Sequence, residues 1–160
     1  MKVRIVSFLL FLVTMPIFPL SAKNLGDNKQ NAPVLFFYSK NCAQCCQMKQ
    51  VIDQILLSNE EIVIELHDID EEPQIWATTC ESRGIPVWGV PRIFIGEQIF
   101  AGWFEYKGDL RYADSYHGYI GYRNQIVLAL EAYFDTSISG IETETSAQML
   151  YIQKDEDCGC

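Results

Sequence analysis

The chain has 160 residues, 49% of them hydrophobic, and a formal net charge of −9. That is enough for one domain with a substantial core and terminal extensions. The acidic residues are spread along the chain, with no basic patch and no glycine-rich phosphate loop. These features argue against nucleic acid or an anionic membrane surface as a partner.

Residues 1–22 have the pattern of a signal peptide. Lys2 and Arg4 precede an apolar run that ends at Leu20, and Ser21 and Ala22 supply small residues for cleavage. We therefore expect a periplasmic or secreted protein, which would contact a membrane only if this segment stayed uncleaved as an anchor. All six cysteines follow the segment. In an oxidising compartment, cysteines need either a partner or a function.

The rest of the chain divides by composition. Residues 23–32 form a polar linker, residues 33–135 a domain with an insertion at about 103–122, and residues 136–160 an acidic tail that ends Cys158-Gly159-Cys160. Within the domain, apolar spacing predicts strands at 34–38, 62–67, 92–95 and 98–101 and helices at about 42–57, 73–83 and 123–134. We expect Asp70 to cap the second helix, Pro73 to lie in its first turn and Gly84 to end it.

This order of elements predicts an α/β fold with a mixed central sheet of about four strands flanked by helices. The insertion is rich in Tyr, Trp and Phe and has no clear period. It is either a satellite core beneath a long loop or a surface that docks a partner.

The most informative stretch places Cys42 and Cys45 directly after the first strand, at the start of the first helix. Free N–H groups and the positive end of the helix dipole favour a thiolate there, so Cys42 should have a lowered pKa and be the attacking sulfur. Cys45 lies one turn on, close enough to form a disulfide. The pattern predicts a reversible dithiol–disulfide site that needs no other cofactor. A structural disulfide and half of a zinc site are the alternatives, although no second Cys-x-x-Cys or paired-His cluster supplies the missing ligands.

Two motifs carry a family resemblance. FYSKNCAQC, at 37–45, and GVPRIFIG, at 89–96, resemble the active-site turn and the cis-proline loop of the thioredoxin superfamily, and locally of glutaredoxins. The resemblance implies a thioredoxin-like fold, with a cis Val90–Pro91 bond that faces the cysteine pair. It also implies that the backbone of Val90 pairs with an extended substrate segment. Together with export, it implies a thiol–disulfide oxidoreductase whose partners are protein thiols and disulfides and an unidentified redox partner.

The chain departs from the family at positions that matter for the chemistry. Phe36 occupies the place of the buried thioredoxin acid, and Gly89 replaces a common glutaredoxin Thr. Ala43 and Gln44 also differ from the residues that tune the potential in either group. The resemblance therefore implies neither a redox potential nor a direction of electron flow.

The remaining cysteines leave several interpretations open. Cys46 is either a small or idle residue or a third redox thiol. Cys80 is either a buried core residue or a resolving or disulfide partner. Cys158 and Cys160 are either an auxiliary redox pair, a soft-metal clamp or an incidental tail. The alternative function is thus a thioredoxin-fold copper- or zinc-binding or metalloprotein-maturation factor, and a further one is a structural module held by disulfides.

Three other side chains are less informative about function. Lys40 either adds positive potential near Cys42 or is a solvated turn residue. His67 and His117 are isolated in the sequence, so we predict a strand-end and a loop residue rather than metal ligands, and we assign no metal site.

Overall fold

The computed structural model describes residues 32–139 and 141. Strands and helices alternate in the first half of this part of the chain, and four strands then follow before the last helix. The strands are β1 (Val34–Tyr38), β2 (Ile64–Asp68), β3 (Arg92–Ile95), β4 (Gln98–Phe104), β5 (Tyr112–Ala113) and β6 (Gly118–Tyr122). The helices are α1 (Ala43–Ser58), α2 (Pro73–Ser82) and α3 (Arg123–Phe134), with a 3₁₀ turn at Asp114–Tyr116. No helix within the described ranges has both the length and the apolar character needed to span a membrane.

The strands form one mixed sheet in the order β2-β1-β3-β4-β6-β5. Strand β1 is parallel to β2 and β4 is parallel to β6, while the other neighbours are antiparallel. The predicted α/β class and mixed sheet are confirmed. The described residues form six strands where about four were predicted, because the insertion contributes β5 and β6.

Two glycines explain why the sequence pattern does not predict strand β6. A Cβ built on Gly121 would lie only 2.0 Å from the carbonyl oxygen of Gly102 in β4, so the two backbones can approach this closely only without a side chain. Gly118 faces β4 in a similar way, with its Cβ position 2.8 Å from the carbonyl oxygen of Ile99. Residues that weaken a strand prediction are here the ones that let the strand pair.

The sheet is covered on both faces. One face packs against α1 and α3, through Met48, Ile52, Ile55, Ile126 and Leu130 among others. The opposite face packs against α2, where Phe37, Trp76, Cys80, Ile85 and Phe94 form a second cluster. The central strands β1 and β3 are therefore enclosed, and all four residues of β3 are buried.

The helix ends differ in how their backbone groups are satisfied. Pro73 lies in the first turn of α2 as predicted, but the N-cap is Glu72 and no side chain caps it. The prediction that Asp70 caps this helix is wrong, because its carboxylate accepts a hydrogen bond from the Ser39 hydroxyl at 2.7 Å instead. At the end of α1, the buried amide of Asn59 donates to the Ile55 carbonyl at 2.8 Å.

The chain after α3 returns to the far end of α1. Asp135 has a left-handed φ of 51° and ends α3, and the Ser139 N–H then donates to the Asn59 side chain at 3.1 Å. Ile141 is buried. Residues 1–31, 140 and 142–160 lie outside the described residues, together with the predicted signal peptide, most of the linker and Cys158 and Cys160.

Candidate functional site

Cys42 and Cys45 form a disulfide, with their Cα atoms 5.1 Å apart. This separation is within the usual range for disulfides. The two sulfurs differ in access, because Cys45 is 0% exposed whereas Cys42 is half-buried. A substrate can therefore reach the Cys42 side of the bond, and Cys45 is left as the inner sulfur.

Cys42 is the N-cap of α1. Its extended backbone (φ −106°, ψ 110°) turns the side chain toward the helix start, where its sulfur accepts a hydrogen bond from the Cys45 N–H at 3.2 Å. The Cys42 N–H is itself held by the Ser39 carbonyl at 3.1 Å. Donors and the positive end of the helix dipole stabilise negative charge at this position, so opening the disulfide would leave the charge on Cys42.

The sheet explains how two motifs that are distant in sequence meet. Strand β1 ends where the antiparallel β3 begins, with Phe37 opposite Arg92, so the residues after β1 and those before β3 lie at one edge. The Val90–Pro91 bond is cis, and the Val90 carbonyl oxygen lies 3.6 Å from the Cys42 sulfur. In the disulfide this sulfur has no proton to donate, so the contact is one of van der Waals type. The structure thus brings Cys42, Cys45 and the Val90–Pro91 segment together.

Lys40 is ion-paired rather than freely solvated. Its ammonium contacts the Glu71 carboxylate and lies 3.2 Å from an oxygen of Asp68. The hydrogen bond with Glu71, and secondarily the one with Asp68, raises the pKa of Lys40. The charge of Lys40 therefore persists near Cys42, but two carboxylates offset its field there.

Asp68 is a site residue that the sequence analysis missed. Its side chain is only 4% exposed, and it pairs in register with Tyr38 at the end of β1. The available signal is topological: β2 is parallel to β1, so the residues that end both strands meet at the edge that carries Cys42.

Arg92 is a second residue that was missed. It is 0% exposed, and its guanidinium donates to the carbonyls of Trp88 at 3.2 Å and Pro86 at 3.5 Å. Its Cζ atom also lies 5.8 Å from the ring centre of Trp76. Burial lowers the pKa of Arg92. A polar residue in a strand enclosed on both faces has to be buried, and this was the signal in the sequence.

Two more cysteines fall within the described residues. Cys80 is 0% exposed and is a free thiol, so the interpretation as a core residue is favoured over a disulfide partner. Burial raises the pKa of Cys80 to about 11, and the charge of Arg92 opposes this only in part. Cys46, within α1, is also buried.

His67 makes more contacts than its isolated position in the sequence suggests, but none of them indicates a metal site. His67 stacks on Phe37 with ring centres 5.1 Å apart, and its Nδ1 atom lies 2.7 Å from Glu72. Within residues 32–139 and 141, no group of three or more His, Cys, Asp or Glu side chains is arranged to hold a metal.

The insertion is partly core and partly surface. Trp103 is buried, whereas Tyr116 is exposed and its ring lies 5.4 Å from that of Trp88. Trp88 and its neighbour Val87 are each about half exposed. The two interpretations of the aromatic segment therefore apply to different residues of it.

Comparisons of the chain with protein-family models, with curated proteins and with solved structures returned no match.

Proposed function

We propose that this protein is an exported thiol–disulfide oxidoreductase, resembling the thioredoxin superfamily, that exchanges disulfides with protein cysteines through Cys42 and Cys45. One observation carries the proposal: the disulfide joins a reachable sulfur at a helix N-terminus to a fully buried sulfur one turn later. A purely structural disulfide has no need for this asymmetry. An exchange site needs this difference in exposure, because one sulfur must react with the substrate and the other must stay shielded until the second step.

The exchange proceeds in two steps. In the reducing direction, the Cys42 thiolate attacks a substrate disulfide, so that a Cys42–substrate disulfide forms and the second substrate sulfur leaves as a thiolate. Deprotonated Cys45 then attacks Cys42, which restores the internal disulfide and releases the substrate with two more electrons. The reverse sequence oxidises a substrate dithiol, and an external redox partner resets the pair.

The proton of Cys45 needs an acceptor. Phe36 is apolar and buried, so it cannot serve as one. Water or a substrate group therefore accepts the proton once the mixed disulfide forms.

The surroundings of Cys42 favour a polypeptide substrate. Val87 and Trp88 are exposed apolar side chains that lead directly into the Val90 carbonyl beside the sulfur. An extended chain can pair with backbone groups while its side chains contact apolar surface. This agrees with the expectation that Val90 and Pro91 bind the substrate.

Cys158 and Cys160 remain a predicted auxiliary redox pair. Ser139 is tied to the far end of α1, a helix of 16 residues and hence about 24 Å in length. Cys158 lies 17 positions after Ile141, and a flexible chain of that length has a root-mean-square span of about 21–25 Å. The tail is therefore long enough to return its dithiol to Cys42.

The proposal is tested by reduction of insulin with dithiothreitol as the electron source. Wild type should accelerate it, Cys42→Ser should not, and Cys45→Ser should accumulate a mixed disulfide at residue 42. Cys80→Ala is the matched control and should retain the rate. If wild type and Cys42→Ser give equal rates, the enzyme proposal is wrong. Stoichiometric copper or zinc in reduced protein purified without air, lost in Cys42→Ser, would favour the metal-binding alternative.

A further inference from the structure

Arg92 presents a physical problem that the exchange chemistry does not explain. Its side chain is 0% exposed, and its Nε–H has no hydrogen-bond partner. No ion pair with a carboxylate is found for it within residues 32–139. Burying a charge without a counter-charge is costly, and natural cores usually avoid it.

The contacts of the guanidinium indicate what compensates this cost. Its two terminal nitrogens donate to the carbonyls of Pro86 and Trp88, which lie in the irregular segment between α2 and β3. Only a planar fork can reach two carbonyls in this way while it also lies over the Trp76 ring. Arg92 therefore holds from the inside a segment that has no ladder hydrogen bonds of its own.

The same segment faces the substrate side of the site. Trp88 contacts the guanidinium through its carbonyl and contacts Tyr116 through its ring, so it is fixed from within and from the insertion. Two residues later, the Val90 carbonyl lies beside the Cys42 sulfur. Any movement of residues 86–88 would be passed along this short stretch to Val90.

We propose that Arg92 is a positioning residue for protein substrates, holding the carbonyls of Pro86 and Trp88 so that Trp88 and Val90 present a fixed docking edge beside Cys42. The proposal rests on the proposed function. Arg92 does not touch the reacting sulfurs, so its loss should weaken the binding of a polypeptide and leave the chemistry at Cys42 nearly unchanged.

The test uses Arg92→Lys and Arg92→Met in the full chain. Lysine retains a positive charge but has one donor group instead of a fork, and methionine removes both charge and donors. With insulin as substrate, both variants should raise KM, Arg92→Met by about ten-fold. With a small aromatic disulfide as substrate, the rate should stay within about two-fold of wild type, because such a molecule does not use the docking edge.

Leu130→Ala is the control for loss of stability. Leu130 is 0% exposed on the opposite face of the sheet, so its truncation destabilises the fold without touching residues 86–92. At equal unfolded fraction it should leave KM for insulin unchanged. A KM increase in Leu130→Ala that matches that of Arg92→Met would overturn the proposal, as would a wild-type KM in Arg92→Lys.

Chymotrypsin cleavage after Trp88 gives a readout that is independent of activity. Both Arg92 variants should be cut at Trp88 at least several times faster than wild type and Leu130→Ala, because the loop opens locally. Equal cleavage rates in all four proteins would refute the positioning role. If wild type reduces neither insulin nor the small disulfide, the proposed function fails, while cleavage at Trp88 still decides the role of Arg92.

Discussion

In the fully reduced protein, we predict that iodoacetamide alkylates Cys42 at least about twenty times faster than Cys80 at pH 8. The reactive species is the thiolate. With its pKa raised to about 11, Cys80 is ionised in only about one molecule in a thousand at this pH. Cys42 has a donor at 3.2 Å and the N-terminus of α1, so its ionised fraction should be at least the roughly one quarter of an ordinary thiol.

Two effects act against each other in this ratio. Ionisation alone favours alkylation of Cys42 by about 240-fold. A more basic thiolate is the better nucleophile, however, so the Cys80 thiolate reacts about thirteen times faster than the Cys42 thiolate. The remaining factor is about twenty. Cys80 is also 0% exposed and must wait for a local opening, which slows its alkylation further.

The measurement follows each cysteine separately. Protein reduced with excess dithiothreitol and freed of it under argon is alkylated, quenched at intervals and digested, and mass spectrometry gives the labelled fraction of each cysteine. The same series in 8 M urea is the control, where Cys42 and Cys80 should differ by less than about two-fold because both environments are lost. Equal native rates for the two, or labelling of Cys45 ahead of Cys42, would refute the reasoning about the start of α1.

Three further predictions concern residues outside the Cys42–Cys45 disulfide. Gly121→Ala should lower the free energy of unfolding by about 3 kcal/mol or more, since a Cβ there meets β4 backbone at 2.0 Å. Gly84→Ala, with open space but a φ of 63°, should cost only about 1–2 kcal/mol, and equal losses in urea unfolding would contradict this account. The folded pKa of Cys80 exceeds its unfolded value of 9.0, so its stabilising effect is complete below pH 9 and disappears toward pH 11. Wild type should therefore lose about 2 kcal/mol more than Cys80→Ala over that interval, and parallel curves would show that Cys80 ionises normally. Lys40→Met should slow alkylation of Cys42 at pH 7 and Glu71→Gln should accelerate it, whereas equal rates would mean that this ion pair does not act on the sulfur.

Local patterns were sufficient to predict the elements that carry the disulfide. The apolar run of β1, the spacing of Met48, Ile52 and Ile55 in α1 and the turn residues between them are all read within about 25 residues of sequence. The hairpin of β3 and β4 is equally local, and Gly96 supplies the left-handed turn residue between its strands, with a φ of 57°. These patterns placed Cys42 and Cys45 at the start of α1, whereas the position of Val90 opposite them was implied only by the family resemblance.

The insertion could not be predicted in the same way. Strand β6 pairs with β4 across a stretch whose regular elements are the short strand β5 and a 3₁₀ turn, and the pairing depends on a close backbone approach at Gly121. Glycine weakens a strand when its surroundings are unknown and permits one when a neighbour is near. Only the three-dimensional arrangement decides between these effects.

The two missed polar residues have a related cause. Asp68 and Arg92 end or begin a strand, where a charged residue is normally solvated. Their burial follows from which strands and helices become neighbours, namely β1 beside Asp68 and α2 above Arg92. Charge in a sequence indicates exposure only on average, and the exceptions lie where the sheet edge forms the site.

The direction of electron flow depends on a balance that the structure makes explicit. The Cys45 N–H and the N-terminus of α1 stabilise a Cys42 thiolate, and hence the reduced pair, which makes the couple more oxidising. Against them, Lys40 is outnumbered by the carboxylates of Asp68 and Glu71, whose negative field disfavours the thiolate. Equilibration of the Cys42–Cys45 couple with glutathione measures which effect is larger. A potential near about −270 mV would mean that the carboxylates have the larger effect and that the protein reduces its substrates. A potential near about −120 mV would mean that the helix N-terminus has the larger effect and that the protein oxidises them. On either outcome Glu71→Gln should move the potential upward, because it removes negative charge from the same surroundings and leaves the donor at 3.2 Å in place.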